Sequence, residues 1–275
     1  MKTLVVPTDF SANAYHALEY ALAIARKMPA KIIVFHAYHL PSSNTTLMRD
    51  ISPMLKQDAE RDMARLIKQV KSHLLDDLFS LESVVRKGHL LEQLATLIRN
   101  EHVDLVVMGT KGASGLSQVF IGSNTASVIE HVPCPVMAIP ESARSNQIQN
   151  ILYATNYQAA DMNSLRKLIQ LASLFDASVT IVHIAEENSN RLQEAANMQS
   201  LTEEVKKEIT YPHLSFQLLE GKDILNTLEN VMQAMNIDLV ATTTRHRNLY
   251  QQVVSHSFTK KMAYHTHIPL LVFHA

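Results

Sequence analysis

A chain of 275 residues, 47% of them apolar, is long enough for one large or two ordinary domains with well-packed cores. Its 26 acids against 25 bases leave a net charge of −1, which gives no bulk electrostatic pull toward nucleic acid or an anionic membrane. A single cysteine, Cys134, excludes an intramolecular disulfide and any Cys-rich metal centre, and no apolar run approaches the ~20 residues of a bilayer span. With no leader-like N-terminus, a cytoplasmic protein is expected.

Leu4-Val5-Val6 is a short strand-like run stopped by Pro7-Thr8-Asp9-Phe10-Ser11, and helical periodicity follows from 12 to 27 through Ala14, Leu18, Ala21 and Ala25. Ser11 stands where the helix cap belongs, which leaves Asp9 available for other work. Lys31 to Ala37 reads as a buried strand, 48 to 75 as a long amphipathic helix, and Ser83 to Val85 as a third strand ending near Gly88. The apolar stripe of that long helix reads as core, and its Lys56, Glu60, Arg61, Lys68 and Lys71 as a solvated face. A helix at 90 to 100, a strand at 104 to 108, a helix at 123 to 131 and a strand at 136 to 139 complete the first half. Strands alternating with helices predict a doubly wound α/β domain, a parallel five-stranded sheet covered on both faces. With strand order 3-2-1-4-5 the first and fourth strands are neighbours where the order reverses, so Asp9 and Gly109 meet at one crevice.

That crevice carries the main chemical signal. Val106-Val107-Met108-Gly109-Thr110-Lys111-Gly112 leads through nine residues to Gly122-Ser123-Asn124-Thr125. Glycines let the main chain approach an anion, and the N–H groups of a helix start supply donors at the favourable end of its dipole. The pattern is neither G-x-x-x-x-G-K-[ST] nor a G-x-G-x-x-G after the first strand, where Pro7-Thr8-Asp9 stands instead.

After the polar stretch Glu141 to Gln149 the pattern restarts. Ile151 to Tyr157 aligns with Leu4 to Phe10, Ser178 to Ile184 with Lys31 to Ala37, Gly221 with Gly88, and Asp238 to His274 with Asp104 to Pro140. Two domains are therefore expected, at 1–141 and 150–275 with a linker at 142–149. In the second, Asn156 replaces Asp9, Thr243 replaces Gly109, His246 replaces Gly112 and His256 replaces Gly122, so an anion corner is expected in the first half alone. The late histidines, His246, His256, His265, His267 and His274, lack the spacing and companions of a metal site, and none is expected. Cys134, between Pro133 and Pro135, reads as a packed small residue. His36 and His183, ending matching strands, read as histidines bonded to backbone.

Gly109-x2-Gly112-x9-Gly122-Ser123, with Pro7-Thr8-Asp9 after the first strand and His36 in the second, resembles the universal stress protein family in its tandem two-domain form. The resemblance implies a Rossmann-like fold of the adenine nucleotide alpha hydrolase type, with the two domains packed as an intrachain pseudo-dimer through their last strands. It implies ATP as ligand, and Mg²⁺ would rely on phosphate and water oxygens, with Ser123 or Thr125 as the side chains that could join them. Pro7, Thr8 and Asp9 would hold the adenine side, Ala37 would pack near the base or ribose, and Met108 and Gly109 would line the floor. Lys111, Gly112, Gly122, Ser123, Asn124 and Thr125 would surround the phosphates. The function implied is a nucleotide-dependent sensor or regulator of the stress response with at most slow hydrolysis and no catalytic residue. An interaction scaffold and a true ATPase stand as alternatives, and association of two chains and the identity of protein partners stay open.

Overall fold

The computed structural model describes residues 2–39, 47–72, 79–110, 122–143, 146–244 and 268–275. Two compact units divide the chain, one reaching Glu141 and the other taking Ser142–Ala275.

In the first unit β1 (Thr3–Pro7), α1 (Ala12–Ala25), β2 (Lys31–Tyr38), α2 (Leu47–Lys71), β3 (Ser80–Lys87), α3 (Leu90–Glu101), β4 (Leu105–Gly109), α4 (Ser123–His131) and β5 (Val136–Ile139) follow in turn. All its strands run parallel in the order β3-β2-β1-β4-β5. Leu4, Val5 and Val6 are fully buried, as residues of a central strand covered on both faces must be. Such residues contribute about 1.5–3 kcal/mol each through burial. Ser11 caps α1, its Oγ accepting from the Ala14 N–H at 3.2 Å, and the small Ala14, Ala17, Ala21 and Ala25 let that helix lie close on the sheet. Cys134 is buried, as expected of a packing residue.

Three boundaries differ from the sequence reading. β3 is longer than Ser83 to Val85, because its exposed Ser80, Glu82 and Ser83 hide a strand that still pairs with all of β2. β2 runs on to Tyr38, one residue past its expected end at Ala37, which pairs with Arg86. Gly109 is the last residue of β4, paired with Ile139, and not the first of the loop.

The second unit repeats the plan with β6 (Asn150–Ala154), α5 (Asp161–Phe175), β7 (Ser178–Glu186), α6 (Arg191–Glu208), β8 (Leu214–Gly221), α7 (Ile224–Ala234), β9 (Leu239–Thr244) and β10 (Leu270–His274). Its strands, again parallel, run in the order β10-β9-β6-β7-β8. The two units share a staple at the start of the central strand. Asp104 Oδ2 accepts from the N–H groups of Lys2 and Thr3 at 2.6 and 3.0 Å, and Asp238 Oδ2 accepts from Gln149 and Asn150 at 2.9 Å each. No helix among the described residues is long and apolar enough to cross a membrane.

Candidate functional site

The end of β1 turns into α1 through a chain of side-chain-to-backbone bonds. The Thr8 N–H still donates to Phe35 O at 2.8 Å, so Thr8 stays tied to β2 one residue beyond the strand. Thr8 Oγ1 then accepts from the Phe10 N–H at 3.0 Å, and Asp9 Oδ1 accepts from the Ser11 N–H at 3.1 Å. Phe10 takes a left-handed φ of 64°, uncommon for an aromatic residue, and rests on the His36 ring at 4.6 Å between centroids. His36 Nδ1 stands 2.7 Å from Thr8 O, and because a carbonyl only accepts, that nitrogen carries the proton. Asp9 is exposed at the mouth of this turn.

Beside the turn, β4 ends at Gly109, and Asn13 of α1 explains why glycine is needed there. A Cβ on Gly109 would stand 2.5 Å from Asn13 Oδ1, closer than atoms tolerate. Asn13, only 4% exposed, donates from Nδ2 to Ile139 O at 3.2 Å and so ties α1 to the end of β5. Two bonds then strap the start of α4 to the end of β4: Gly122 N–H to Thr110 O at 2.6 Å, and Thr125 Oγ1 to Gly109 O at 2.8 Å. A Cβ on Gly122 would lie 3.1 Å from Thr110 O, so this approach also favours glycine.

The first intrahelical bond of α4 runs from the Ala126 N–H to Gly122 O, which leaves the N–H groups of Ser123, Asn124 and Thr125 without intrahelical acceptors. Ser123 and Asn124 are exposed there. Backbone donors, a helix dipole and two close-approach glycines together make a cradle suited to a polyanion.

Of the residues singled out by sequence, the fold thus gathers Pro7, Thr8, Asp9, Met108, Gly109, Gly122, Ser123, Asn124 and Thr125 at the carboxyl ends of β1 and β4. Ala37 belongs to β2, one strand away. Thr125 is 2% exposed with its hydroxyl spent on Gly109 O, so it offers the mouth its N–H rather than its side chain. Lys111 and Gly112 lie outside the described residues. Asn13 was not legible as part of this corner. Its only signal is a polar residue on an otherwise alanine-lined helix face.

The second unit builds a different corner from the same turn. Tyr157 has a φ of 56° and stacks on His183 at 4.2 Å, and His183 Nδ1 donates to Thr155 O at 2.7 Å, matching Phe10, His36 and Thr8. Both histidines are therefore bonded to backbone, as their positions suggested. Among the described residues, however, this corner differs in holding a buried carboxylate and phenol, where the first unit has Ala14 and Val6. Asp161, 2% exposed, accepts from Tyr153 OH at 2.8 Å, Thr155 Oγ1 at 2.6 Å and the Gln158 N–H at 3.0 Å. Since Tyr153 spends its one proton on Asp161, the Thr243 hydroxyl donates to the phenol oxygen, 2.7 Å away. Burial, and then the Asp161 charge, hold the Tyr153 phenol protonated far above its usual range. Tyr157 is shifted the same way by burial and by Glu194.

Thr243 stands where Gly109 does, and Ala160 where Asn13 does, so the second unit accepts a Cβ at the strand end by removing the side chain that would have met it. Among the described residues no group of three or more His, Cys, Asp or Glu is placed to hold a metal ion. His246, His256, His265 and His267 lie outside them.

Comparison with known proteins follows the same division. A universal stress protein of Synechocystis is 25% identical over 147 residues, covering 50% of this chain and 96% of the relative. Another from the same organism is 24% identical over 294 residues and spans 99% of this chain and all of its own length, so the tandem arrangement has a full-length counterpart. The crystal structure of a universal stress protein from Archaeoglobus fulgidus superposes with a TM-score of 0.76 at 16% identity, covering 99% of this chain and 98% of that one, a likeness of fold. The model of the universal stress protein family matches twice, at residues 1–140 and 147–274. With nearly every residue accounted for by two successive matches, the chain belongs to the universal stress protein family, in a tandem two-domain form.

Proposed function

We propose that the first unit binds an adenine nucleotide, ATP, at the carboxyl ends of β1 and β4, and that the protein serves the stress response as a nucleotide-dependent sensor or regulator in the cytoplasm. The observation that carries this reading is the strapping of α4 onto β4: a Cβ on Gly109 would collide with Asn13, one on Gly122 would crowd Thr110 O, and the N–H groups of the α4 start, without intrahelical acceptors, lie at the carboxyl end of β4 beside β1, which Asp9 follows. These residues suit a triphosphate and its nucleoside. The α4 mouth would hold the phosphates, while Asp9 would accept from a ribose hydroxyl or an exocyclic amine. Mg²⁺ would neutralise phosphate charge, held through phosphate and water oxygens.

Hydrolysis is slow on this reading because the donors gathered at the mouth are backbone N–H groups and hydroxyls. They stabilise charge but do not take a proton from an attacking water. The second unit, residues 150–275 beyond a linker at 142–149, has its corner occupied by Tyr153, Asp161 and Thr243 and is closed to nucleotide.

The test is the nucleotide content of the purified protein, released by denaturation and identified by mass, followed by calorimetric titration of ATP into the stripped chain and into Gly122→His. The expected result is about one adenine nucleotide per chain, with binding lost in the variant. An empty protein that ignores ATP at millimolar concentration would overturn the reading and favour the interaction scaffold.

A further inference from the structure

Away from the glycine corner, α2 and the sheet-edge strand β3 enclose an open trough of about 660 Å³, lined by Glu60, Met63, Ala64, Ile67, Lys68, Lys71, Ser83 and Val85. This is within the size range of small-molecule sites. The second unit shows what normally fills such a place. Val34 pairs with Ser83 as its counterpart Ile181 pairs with Phe216, so Ser83 and Phe216 hold the same position in their sheets. The helices correspond as well: Met63, Leu66, Val70 and Lys71 of α2 repeat as Met198, Leu201, Val205 and Lys206 of α6. In the second unit Lys206 Nζ lies over the Phe216 ring, 6.0 Å from its centroid. The first unit keeps the lysine, as Lys71, and lacks the ring.

Of the other differences one, Ala195 becoming Glu60, adds a carboxylate that is itself paired with Lys56, and the rest point one way. Gln199 becomes Ala64 and Thr202 becomes Ile67, which makes the trough more apolar, and Glu203 becomes Lys68, which makes it more cationic. Last-turn lysines also complement a helix dipole, and α6 keeps Lys206 and Lys207 there, so Lys71 alone would mean little. Lys68 is a last-turn lysine too, but its counterpart in the second unit is Glu203, so the dipole does not require a base at that position. Among the described residues neither Lys68 nor Lys71 has a carboxylate partner, whereas Glu60 at the other end is paired with Lys56 at 3.5 Å. The apolar stripe of α2 is core at Ala59, Met63 and Val70, as expected, and Ile67 beside it lines the trough together with the two lysines.

We infer that this trough binds a small planar aromatic carboxylate. The ring would take the place that Phe216 fills in the second unit, stacked beneath Lys71, and the carboxylate would face Lys68. The inference does not depend on nucleotide binding at the glycine corner.

The experiment titrates 2-naphthoate into the full-length chain and follows naphthyl emission, which meets no indole background because the chain has no tryptophan. Saturable binding is expected, weakened about tenfold in Lys68→Glu, which copies the second unit's charge, and about tenfold for the neutral naphthalene-2-carboxamide. Ser83→Phe, which supplies the missing ring from the protein, is expected to abolish binding while leaving ATP titration unchanged. Absence of saturable binding at millimolar naphthoate would overturn the proposal. So would full affinity in either variant, Lys68→Glu deciding the matter if Ser83→Phe fails to fold. A phenylalanine-bearing extended peptide that binds here when naphthoate does not would also overturn it, assigning the face to strand addition along β3.

Discussion

The Gly109 corner and the Thr243 corner occupy the same position in two copies of one domain, and they solve the same packing problem in opposite ways. The first leaves the strand end bare, keeps Asn13 against it and straps a helix start beside it. The second places a hydroxyl at the strand end and fills the space with a buried phenol and carboxylate. A corner open to an anion costs backbone donors left for a ligand to satisfy, whereas a filled corner must satisfy a buried charge internally. The shared turn, with its left-handed aromatic residue on a histidine, belongs to the fold, and among the described residues the buried phenol and carboxylate belong to the second copy.

The sharpest way to break this comparison is at Asp161. Asp161→Ala leaves the Tyr153 hydroxyl, the Thr155 hydroxyl and the Gln158 N–H without their acceptor, and should destabilise the second unit by about 3 kcal/mol. Hydrogen exchange over β6 and α5 would read this directly, and unchanged protection there would show that the network is not structural.

Next in size is Gly109→Ala, expected to cost about 2 kcal/mol through the clash with Asn13. The double variant with Asn13→Ala imitates the second unit and should recover most of that loss in thermal unfolding without restoring ATP affinity. Strictly additive losses would mean that the two residues do not oppose each other.

Tyr153→Phe should cost about 1.5 kcal/mol at neutral pH and also change the response to alkali. The folded phenol keeps its proton while an unfolded one ionises near its ordinary value of about 10, so this contribution is whole below that pH and lost as pH rises above it. Stability of the second unit should thus fall in alkali, less steeply in Tyr153→Phe, with Tyr157 and Tyr211, both also shifted upward by burial, contributing to the remaining slope; identical slopes would place the sensitivity elsewhere. Smallest is Ser11→Ala, which removes the α1 cap for about 1 kcal/mol. Because the variant keeps the Ser11 N–H that Asp9 accepts and loses only the hydroxyl on Ala14, calorimetry should show ATP affinity within about twofold of the parent.

Much of this was legible before any coordinates. Apolar runs alternating with helical periods gave the parallel sheets, and matching segments gave the repeat. Gly109 and Gly122 pointed to the place where α4 comes against the end of β4, since a glycine answers to backbone approach whatever surrounds it. What stayed hidden was long-range. Asp161 reads locally as an acid in a helix's first turn, and only the fold brings it to Tyr153 and, through the phenol, to Thr243 on β9. Asn13 is likewise an ordinary helix residue until β4 and β5 arrive against it. The trough escaped notice because periodicity reports which face of α2 is apolar, not whether the opposing strand carries a side chain long enough to cover it.

The paired staples of Asp104 and Asp238 bear on how the protein is made. Each fixes the start of a central strand from a position far downstream, 102 residues beyond Lys2 in one domain and 89 beyond Gln149 in the other. During synthesis the first strand leaves the ribosome early, yet the carboxylate that seats it emerges only with the fourth. Closure of each sheet is therefore a late event of high contact order, and the chain must perform it twice. Between those moments, a nascent first domain holding only its first three strands presents the open flank of β1 to whatever is nearest.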